Sequence, residues 1–487
     1  VKILTNFKKI SPSEIQKTLL DDLTKEEIEK VKRQIINIEQ KPIYLTTKIK
    51  ISPTEEQKEI LWILAENCRL IYNFALEERK LWWEKNKDKP KEQRESNPSY
   101  ISQQNQLPAL KRKFPRYQQN YSKTLQCTLK QLQANYKSYL TKLNNGDKTA
   151  QPPGYKGKKH FAPLIYNQSG FKFNEKTVTF SHYYPTKNSQ EVELSYQLDS
   201  KINFHDKEIK QITISQNHKT KEFFLSLTYK EGTTYYQDNN IYQAIDLGVM
   251  NIVASVNSHA GKSLIIKNNR VDKYWQSKIE EVQSKRDKCL KFSNRWFWYN
   301  TKLQKMKRKQ TNQQKDFQHK LSRKIIENTK ANTIIIGDLN VKEMSKKSNK
   351  KNDKSLNRTT QNTGCLSRFA GFLTYKAELV GKKVIRISER RTTKRCCYCM
   401  KKKIRTLSER IIHCDFCGLV IDRDINGACN IMQRFLAIIS LSHKRLVVGQ
   451  RLLKNFRLLF FAINSQTSNV GFSSNGVVRT RKKSLQR

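Results

Sequence analysis

The chain has 487 residues, with 94 Lys or Arg against 43 Asp or Glu, a formal charge of +51. Solubility rarely takes a small domain beyond about ±8, and self-repulsion penalises a larger excess unless a polyanion neutralises it. Nucleic acid is the expected partner, and a solvated basic surface without one is the alternative. No stretch approaches the roughly 18 consecutive apolar residues of a membrane span. The opening Val1-Lys2-Ile3-Leu4, followed by Lys8 and Lys9, lacks the apolar run of a secretory leader. The expected setting for the ten cysteines is therefore reducing and intracellular.

Ser11 and Glu14 form a capping box ahead of Ile15, Leu19, Leu20 and Leu23, so residues 1–41 read as a charged helical extension. Alternation from Ile43 to Ile51 predicts a strand. Thr54 and Gln57 then cap a helix whose apolar positions run Ile60, Leu61, Leu64, Cys68, Ile71 and Tyr72. Helical patterning continues to about Leu143, broken at Pro108 and Pro115 and ended by Pro152-Pro153-Gly154. From about 160 to 232 the texture is β. Ile209–Ile214 and Phe223–Tyr229 flank a polar turn at Gln216-Asn217-His218-Lys219, a hairpin expected to close a small barrel with the strand at 43–51.

Three short strands follow (Tyr242–Leu247, Asn251–Val256, Ser263–Ile266), then a lysine-rich helical stretch from about Asp272 to Asn328. A strand at Thr333–Ile336, a helix at Leu366–Val380 and a strand at Val384–Ile387 complete an RNase H-type order, which gathers acids from separate strands and a last helix. The segment Ser345–Arg358 is of low complexity and reads as a loop.

Cys396-x-x-Cys399 and Cys414-x-x-Cys417 have zinc-ribbon spacing, with four thiolates for one tetrahedral ion and no open position, hence a structural zinc. Gly418 suits the turn after the second pair, whereas Met400 suits the equivalent place less well. Cys397 competes with Cys396 for the first ligand, and the spacing favours Cys396. Nearby Arg390, Arg391, Lys394, Arg395, Lys401, Lys402, Lys403 and Arg405 point to a phosphate grip.

Asp246 ends an apolar strand before Leu247-Gly248, and Asp424 opens a helix sharing a face with Ala428 and Ile431. Two carboxylates meeting at a sheet edge suit a pair of divalent ions for phosphodiester cleavage.

The runs Ala244-Ile245-Asp246-Leu247-Gly248, Thr392 to Cys399, and Cys414-Asp415-Phe416-Cys417-Gly418 through Asp422 to Ile431 resemble the TnpB family, as do Ser52-Pro53-Thr54, Tyr72 to Leu76 and Pro153 to Lys158. The resemblance, over about 43–437, implies an α+β multidomain protein. Its parts would be a wedge β-barrel with an inserted helical recognition domain, and an RNase H-like RuvC nuclease domain with a four-Cys zinc ribbon insertion. The implied segments are the extension (1–41), first wedge strand (42–52), recognition helices (53–150), barrel (151–235), RuvC core with a long helical hairpin (236–390), ribbon (391–421), last RuvC motif and helix (422–440) and basic tail (441–487). It further implies a transposon-associated, RNA-guided DNA endonuclease, with an omega-type guide RNA, double-stranded target DNA beside a short flanking motif, and two catalytic Mg²⁺ ions. The setting would be the nucleoid in a prokaryote, or the nucleus for a eukaryotic or viral protein.

One position departs from that pattern. The family's usual Glu before Asp-Leu is here Gly337, and Asp338, one residue on, should face the other side of its strand. Glu389, after the following strand, resembles the relocated glutamate of Fanzor proteins and a subset of TnpB. The expected acids are thus Asp246, Glu389 and Asp424. A nuclease-inactive, RNA-guided repressor and an RNase H-fold transposase are the alternatives. Trp82-Trp83 and Arg295-Trp296-Phe297-Trp298-Tyr299 are read either as helix-junction core or as stacking platforms for unpaired bases.

Overall fold

The computed structural model describes residues 11–37, 42–167, 169–174, 177–183, 191–197, 204, 207–218, 220–338, 365–404, 406, 409–441 and 446–466. The chain divides into two units, Pro42–Gly232 and Val1–Lys41 together with Thr233–Arg487. The low-complexity segment Ser345–Arg358, Arg405 and most of the basic tail lie outside the described residues. No described helix is long and apolar enough to cross a membrane.

In the first unit, strand β1 (Ile43–Ile51) runs antiparallel to β7 (Phe223–Glu231), which pairs with β6 (Ile209–Gln216) and through it with β2 (Leu164–Asn167). A second sheet holds β3 (Phe171–Phe173), β4 (Thr177–Tyr183) and β5 (Glu191–Gln197). The hairpin and its pairing with the strand at 43–51 match the sequence reading. The two sheets share one apolar core without a joining ladder among the described residues, so side chains link them where a closed barrel was expected.

That core includes one face of helix α3 (Glu55–Asn86), where Leu61, Leu64, Cys68, Ile71 and Tyr72 recur at helical spacing behind the Thr54–Gln57 capping box. Helices α4 (Tyr100–Asn105), α5 (Leu107–Lys113) and α6 (Ser122–Asn144) follow, with Pro108 in the first turn of α5, where its missing N–H costs nothing.

The second unit begins with α1 (Pro12–Leu20) and α2 (Lys25–Ile36), each opened by a capping box, at Ser11–Glu14 and Thr24–Glu27. The five-stranded sheet behind them has the order β10 (Ser263–Lys267), β9 (Asn251–Asn257), β8 (Tyr242–Asp246), β11 (Thr333–Asp338), β12 (Lys383–Ser388). The first three strands are antiparallel, and β8, β11 and β12 are mutually parallel.

The lysine-rich stretch is a hairpin of α7 (Val271–Asp287) and α8 (Asn294–Asn328), broken where Phe292 takes a left-handed conformation and Ser293 caps the second helix. Helix α9 (Leu366–Leu379) covers one sheet face with Phe369 and Leu373. Helix α10 (Arg423–Ile439) covers the other and is buried along Ile425–Ile439. Strands β13 (Ile411–His413) and β14 (Val420–Asp422) form a small hairpin, and α11 (Leu446–Gln466) packs Leu453, Phe456 and Phe460 into the core around α10.

Candidate active site and metal centre

Strand alternation decides which acids can meet. Tyr242 and Ala244 of β8, Ile335 of β11, and Ile385 and Ile387 of β12 all bury against α10. Side chains two residues apart share a face. Asp246, Gly337 and Glu389 therefore line the α10 side at the C-terminal edge of three adjacent parallel strands. Asp338 falls on the side of Ile334 and Ile336, as its strand position led us to expect, and pairs with Lys30 of α2 at 3.0 Å.

The Glu389 carboxylate fills the space above Gly337, where a Cβ would collide with its Oε1, Cγ and Cδ. On the opposite wall a Cβ at Gly427 of α10 would collide with Asp246 Oδ2, so the absence of a side chain lets the helix reach the carboxylate. Asp424 sits in the first turn of α10, after Asp422 caps that helix by accepting from the Asp424 and Ile425 amides at 2.8 and 3.2 Å. Asn251, opening β9, donates to Asp424 Oδ2 at 2.8 Å, and Arg410 lies 3.4 Å from the same oxygen.

Burial raises the Asp246 carboxyl to about 8, helped by the charge of Asp424 and opposed by Arg423. Burial also lifts Glu389 well above the ordinary range, with the charges of Asp246 and Asp338 adding to it. Glu389 Oε1 is buried and has no hydrogen-bond partner. A buried, unpartnered carboxylate oxygen among mutually repelling acids is the donor set that a divalent cation satisfies. The three carboxylates are more widely spread than the cysteines, which form the one group among the described residues with at least three ligand atoms all within 4.8 Å of one another.

That group is Cys396, Cys399, Cys414 and Cys417, all buried, with Sγ–Sγ distances of 3.7 Å (Cys396 to Cys417) and 3.5 Å (Cys399 to Cys414). It is a ribbon-type cluster that could hold a metal ion. Each knuckle closes in the same way: the Met400 amide donates to Cys396 O at 3.0 Å and the Gly418 amide to Cys414 O at 2.8 Å. Met400 takes φ +60° and Gly418 φ +66°. The residue that looked ill suited thus adopts the glycine-like turn, at a cost of about 1–2 kcal/mol. Cys397 lies outside the cluster, its amide bonded to Asn426 Oδ1 and its thiol facing Cys429.

Helix α10 holds the Glu389 turn and the first knuckle through side-chain donors that sequence reading missed. Asn426 and Asn430 both donate to the carbonyls of Thr392 and Arg395, and Gln433 donates to Cys397 O at 3.0 Å. Arg434 donates to Ser388 O at 2.8 Å and to Arg390 O. Their signal was visible as polar residues at 426, 430, 433 and 434, one stripe of an otherwise apolar helix. In the aromatic run of the α7–α8 hairpin, Phe297 and Trp298 are exposed and Trp296 and Tyr299 half-buried, Tyr299 packing against a small core that holds Trp275 of α7; Trp82 is half-buried and Trp83 exposed.

Residues 226–348 match the family model of IS605 OrfB, described as "Probable transposase", and 367–431 match a Cas12f1-like TNB domain. Residues 43–88 match a model described as a helix-turn-helix domain, although here they form β1 and the single helix α3. A TnpB-like protein of Methanocaldococcus jannaschii is 31% identical over 197 residues, which cover 39% of this chain and 67% of that protein. The chain belongs to the TnpB-like family.

A TnpB-like protein of Acanthamoeba polyphaga mimivirus is 30% identical over 238 residues, which cover 46% of this chain but only 43% of that relative. A Streptomyces pristinaespiralis protein named "Putative RNA-guided DNA endonuclease" is 26% identical over 396 residues, covering 80% of this chain and 89% of that protein. Among solved structures, a Cas12f1 complex with guide RNA and target DNA shares the fold, at a TM-score of 0.54 and 14% identity, over 80% of this chain and 98% of that one.

Proposed function

We propose that this TnpB-like chain is an RNA-guided DNA endonuclease in which Asp246, Glu389 and Asp424 hold two Mg²⁺ ions and Cys396, Cys399, Cys414 and Cys417 hold one structural Zn²⁺. The observation that carries the reading is the Glu389 carboxylate, which fills the space above Gly337 on the sheet face of Asp246. The printed name of the Streptomyces relative supports the RNA-guided part.

Divalent ions bound there supply positive charge to the attacked phosphate and its leaving oxygen. Asp246, enclosed by α10, would hold such an ion once its carboxyl releases the proton that burial favours. Asn251 fixes the orientation of Asp424 with an amide hydrogen bond. Glu389 brings in the third carboxylate from β12, and Arg434 anchors the backbone on both sides of it. The basic surface neutralises guide RNA and target DNA, giving affinity that falls steeply with salt.

The test is to purify the protein with its bound RNA, sequence that RNA, and present plasmids bearing the complementary target beside varied flanking sequences. Mg²⁺-dependent cutting of the matched plasmid is expected. Glu389→Gln, Asp246→Asn and Asp424→Asn should lose it by more than roughly 100-fold, the upper range for a residue that only orients a ligand. Asp338→Asn should retain it. A protein that carries no discrete RNA and joins DNA ends would support the transposase alternative. One that binds guided DNA without cutting would support the repressor.

A further inference from the structure

The mechanism leaves Asp22, between α1 and α2, unused. Its side chain has no exposed surface, yet it meets four cations: Arg395 at 2.6 Å, Lys402 at 2.9 Å, Arg391 at 3.3 Å and Arg434 at 3.4 Å. Burial pushes its carboxyl up, but Lys402, Arg395 and Arg391 outweigh that and keep it ionised. Arg391 and Arg395 lie in or just after the turn that follows Glu389, Lys402 is bridged to Arg395 from beyond the first knuckle, and Arg434 brackets the turn.

Arg434 is the informative partner. It is buried, its two Nη atoms reach the carbonyls on either side of Glu389, and its Nε has no hydrogen-bond partner. Glu389 Oε1 is likewise buried without a partner, and the Arg434 charge opposes, as the weakest of the influences on Glu389, the rise that burial, Asp246 and Asp338 cause. A buried guanidinium beside a buried carboxylate forms an ion pair unless another anion holds it. Other contacts fasten the same extension to this edge of the sheet: Gln34 exchanges hydrogen bonds with the Arg386 backbone, and Lys30 pairs with Asp338.

We propose that Asp22 is a positioning residue that holds Arg434 away from the Glu389 carboxylate, leaving that carboxylate open to a divalent cation. The residues before the first strand are then part of the active-site apparatus. The inference rests on the reading of Glu389 as a metal ligand.

The experiment titrates Mn²⁺ by electron paramagnetic resonance into the full chain, freed of nucleic acid in high salt, with zinc content and thermal melting as folding controls. Asp22→Asn should weaken Mn²⁺ binding by about tenfold with zinc content unchanged, because Arg434 turns to Glu389. Arg434→Gln keeps an amide donor for the carbonyls and removes the competing charge, so it should bind Mn²⁺ at least as tightly as the wild type. Combining the two should restore what Asp22→Asn lost, a non-additivity that a purely structural Asp22 does not produce.

A folded Asp22→Asn protein with unchanged Mn²⁺ affinity, or a double variant no better than it, overturns the proposal. If Asp22→Asn does not fold, Arg434→Gln decides alone: Mn²⁺ affinity tenfold weaker than wild type overturns it. Glu389→Gln separates the two readings, since unchanged Mn²⁺ binding there refutes Glu389 as a ligand rather than Asp22 as its guard.

Discussion

The carboxylate of Glu389 stands where the Cβ of any residue other than glycine at position 337 would have to be. Gly337 is in register with Ile387 of β12, so the side chain two residues after Ile387 leans back across the neighbouring strand. Space for that acid and loss of the side chain at 337 are therefore one feature. Gly337→Ala should displace Glu389 and cost about 1–3 kcal/mol by overpacking, with cutting lost more completely than stability. Moving the acid back, as Gly337→Glu with Glu389→Gly, should recover cutting that either single variant lacks. Plasmid cleavage and thermal melting of the set measure both. Undiminished cutting by Gly337→Ala would sink the reading.

The pH dependence of stability follows from Asp246. Burial, then the Asp424 charge, raises its carboxyl to about 8, against about 3.9 for an exposed aspartate. Between those values the folded chain keeps a proton that the unfolded chain has released. The stability this proton contributes is complete below about pH 4 and is lost as pH rises toward 8. Without Mg²⁺, the zinc-loaded protein should melt at lower temperature at pH 8 than at pH 5, with a smaller difference in Asp246→Asn. Mg²⁺ should raise the melting temperature more at pH 8, where protons compete with it less than at pH 5. Equal slopes for wild type and Asp246→Asn would refute the assignment.

Cys414→Ser should remove about one zinc per chain, read by elemental analysis, because three thiolates hold the ion far less tightly than four. The loss should reach beyond the ribbon. The first knuckle and the Glu389 turn hang on the same α10 donors, Asn426, Asn430 and Gln433. Loss of a structural metal contributes several kcal/mol of destabilisation, so α10 and its surroundings should exchange amide hydrogens faster. Wild-type protein without zinc would end this account.

The strands from β8 to β12 were legible because each is a short apolar run between turn signals, and the cysteines because thiolate spacing is set by local knuckle geometry. Gly337 and Glu389 were legible only as a departure from a resembling pattern, since no local rule ties residue 389 to residue 337. Asp22 gave no signal at all: it reads as one more acid between two helices, and its partners lie from 369 (Arg391) to 412 (Arg434) positions away in the chain. Asn251 was hidden for the same reason. The helical hairpin was expected from the resemblance, but the position of its break was not, because a left-handed Phe292 leaves no mark in the sequence.

The exposed aromatics at the α7–α8 tip supply the last prediction. Phe297 is 49% and Trp298 59% exposed, and Lys302 stands 5.3 Å over the Trp298 ring, with Lys305 a further turn along the same helix. An aromatic face beside lysines accepts an unpaired base and its phosphate, and base stacking is worth about 1–3 kcal/mol per base. Trp298→Ala and Phe297→Ala should therefore each weaken binding of a single-stranded oligothymidylate by roughly tenfold, since about 1.4 kcal/mol is a factor of ten. Binding of duplex of equal length, whose bases are already stacked, should change little. Trp275→Ala is the contrasting variant: that ring is buried against α8 and donates to Gln313 at 2.6 Å, so its loss should lower the melting temperature. Fluorescence anisotropy at matched salt separates the cases. Equal losses for single strand and duplex would mean that the lysines alone hold the strand and the rings are idle.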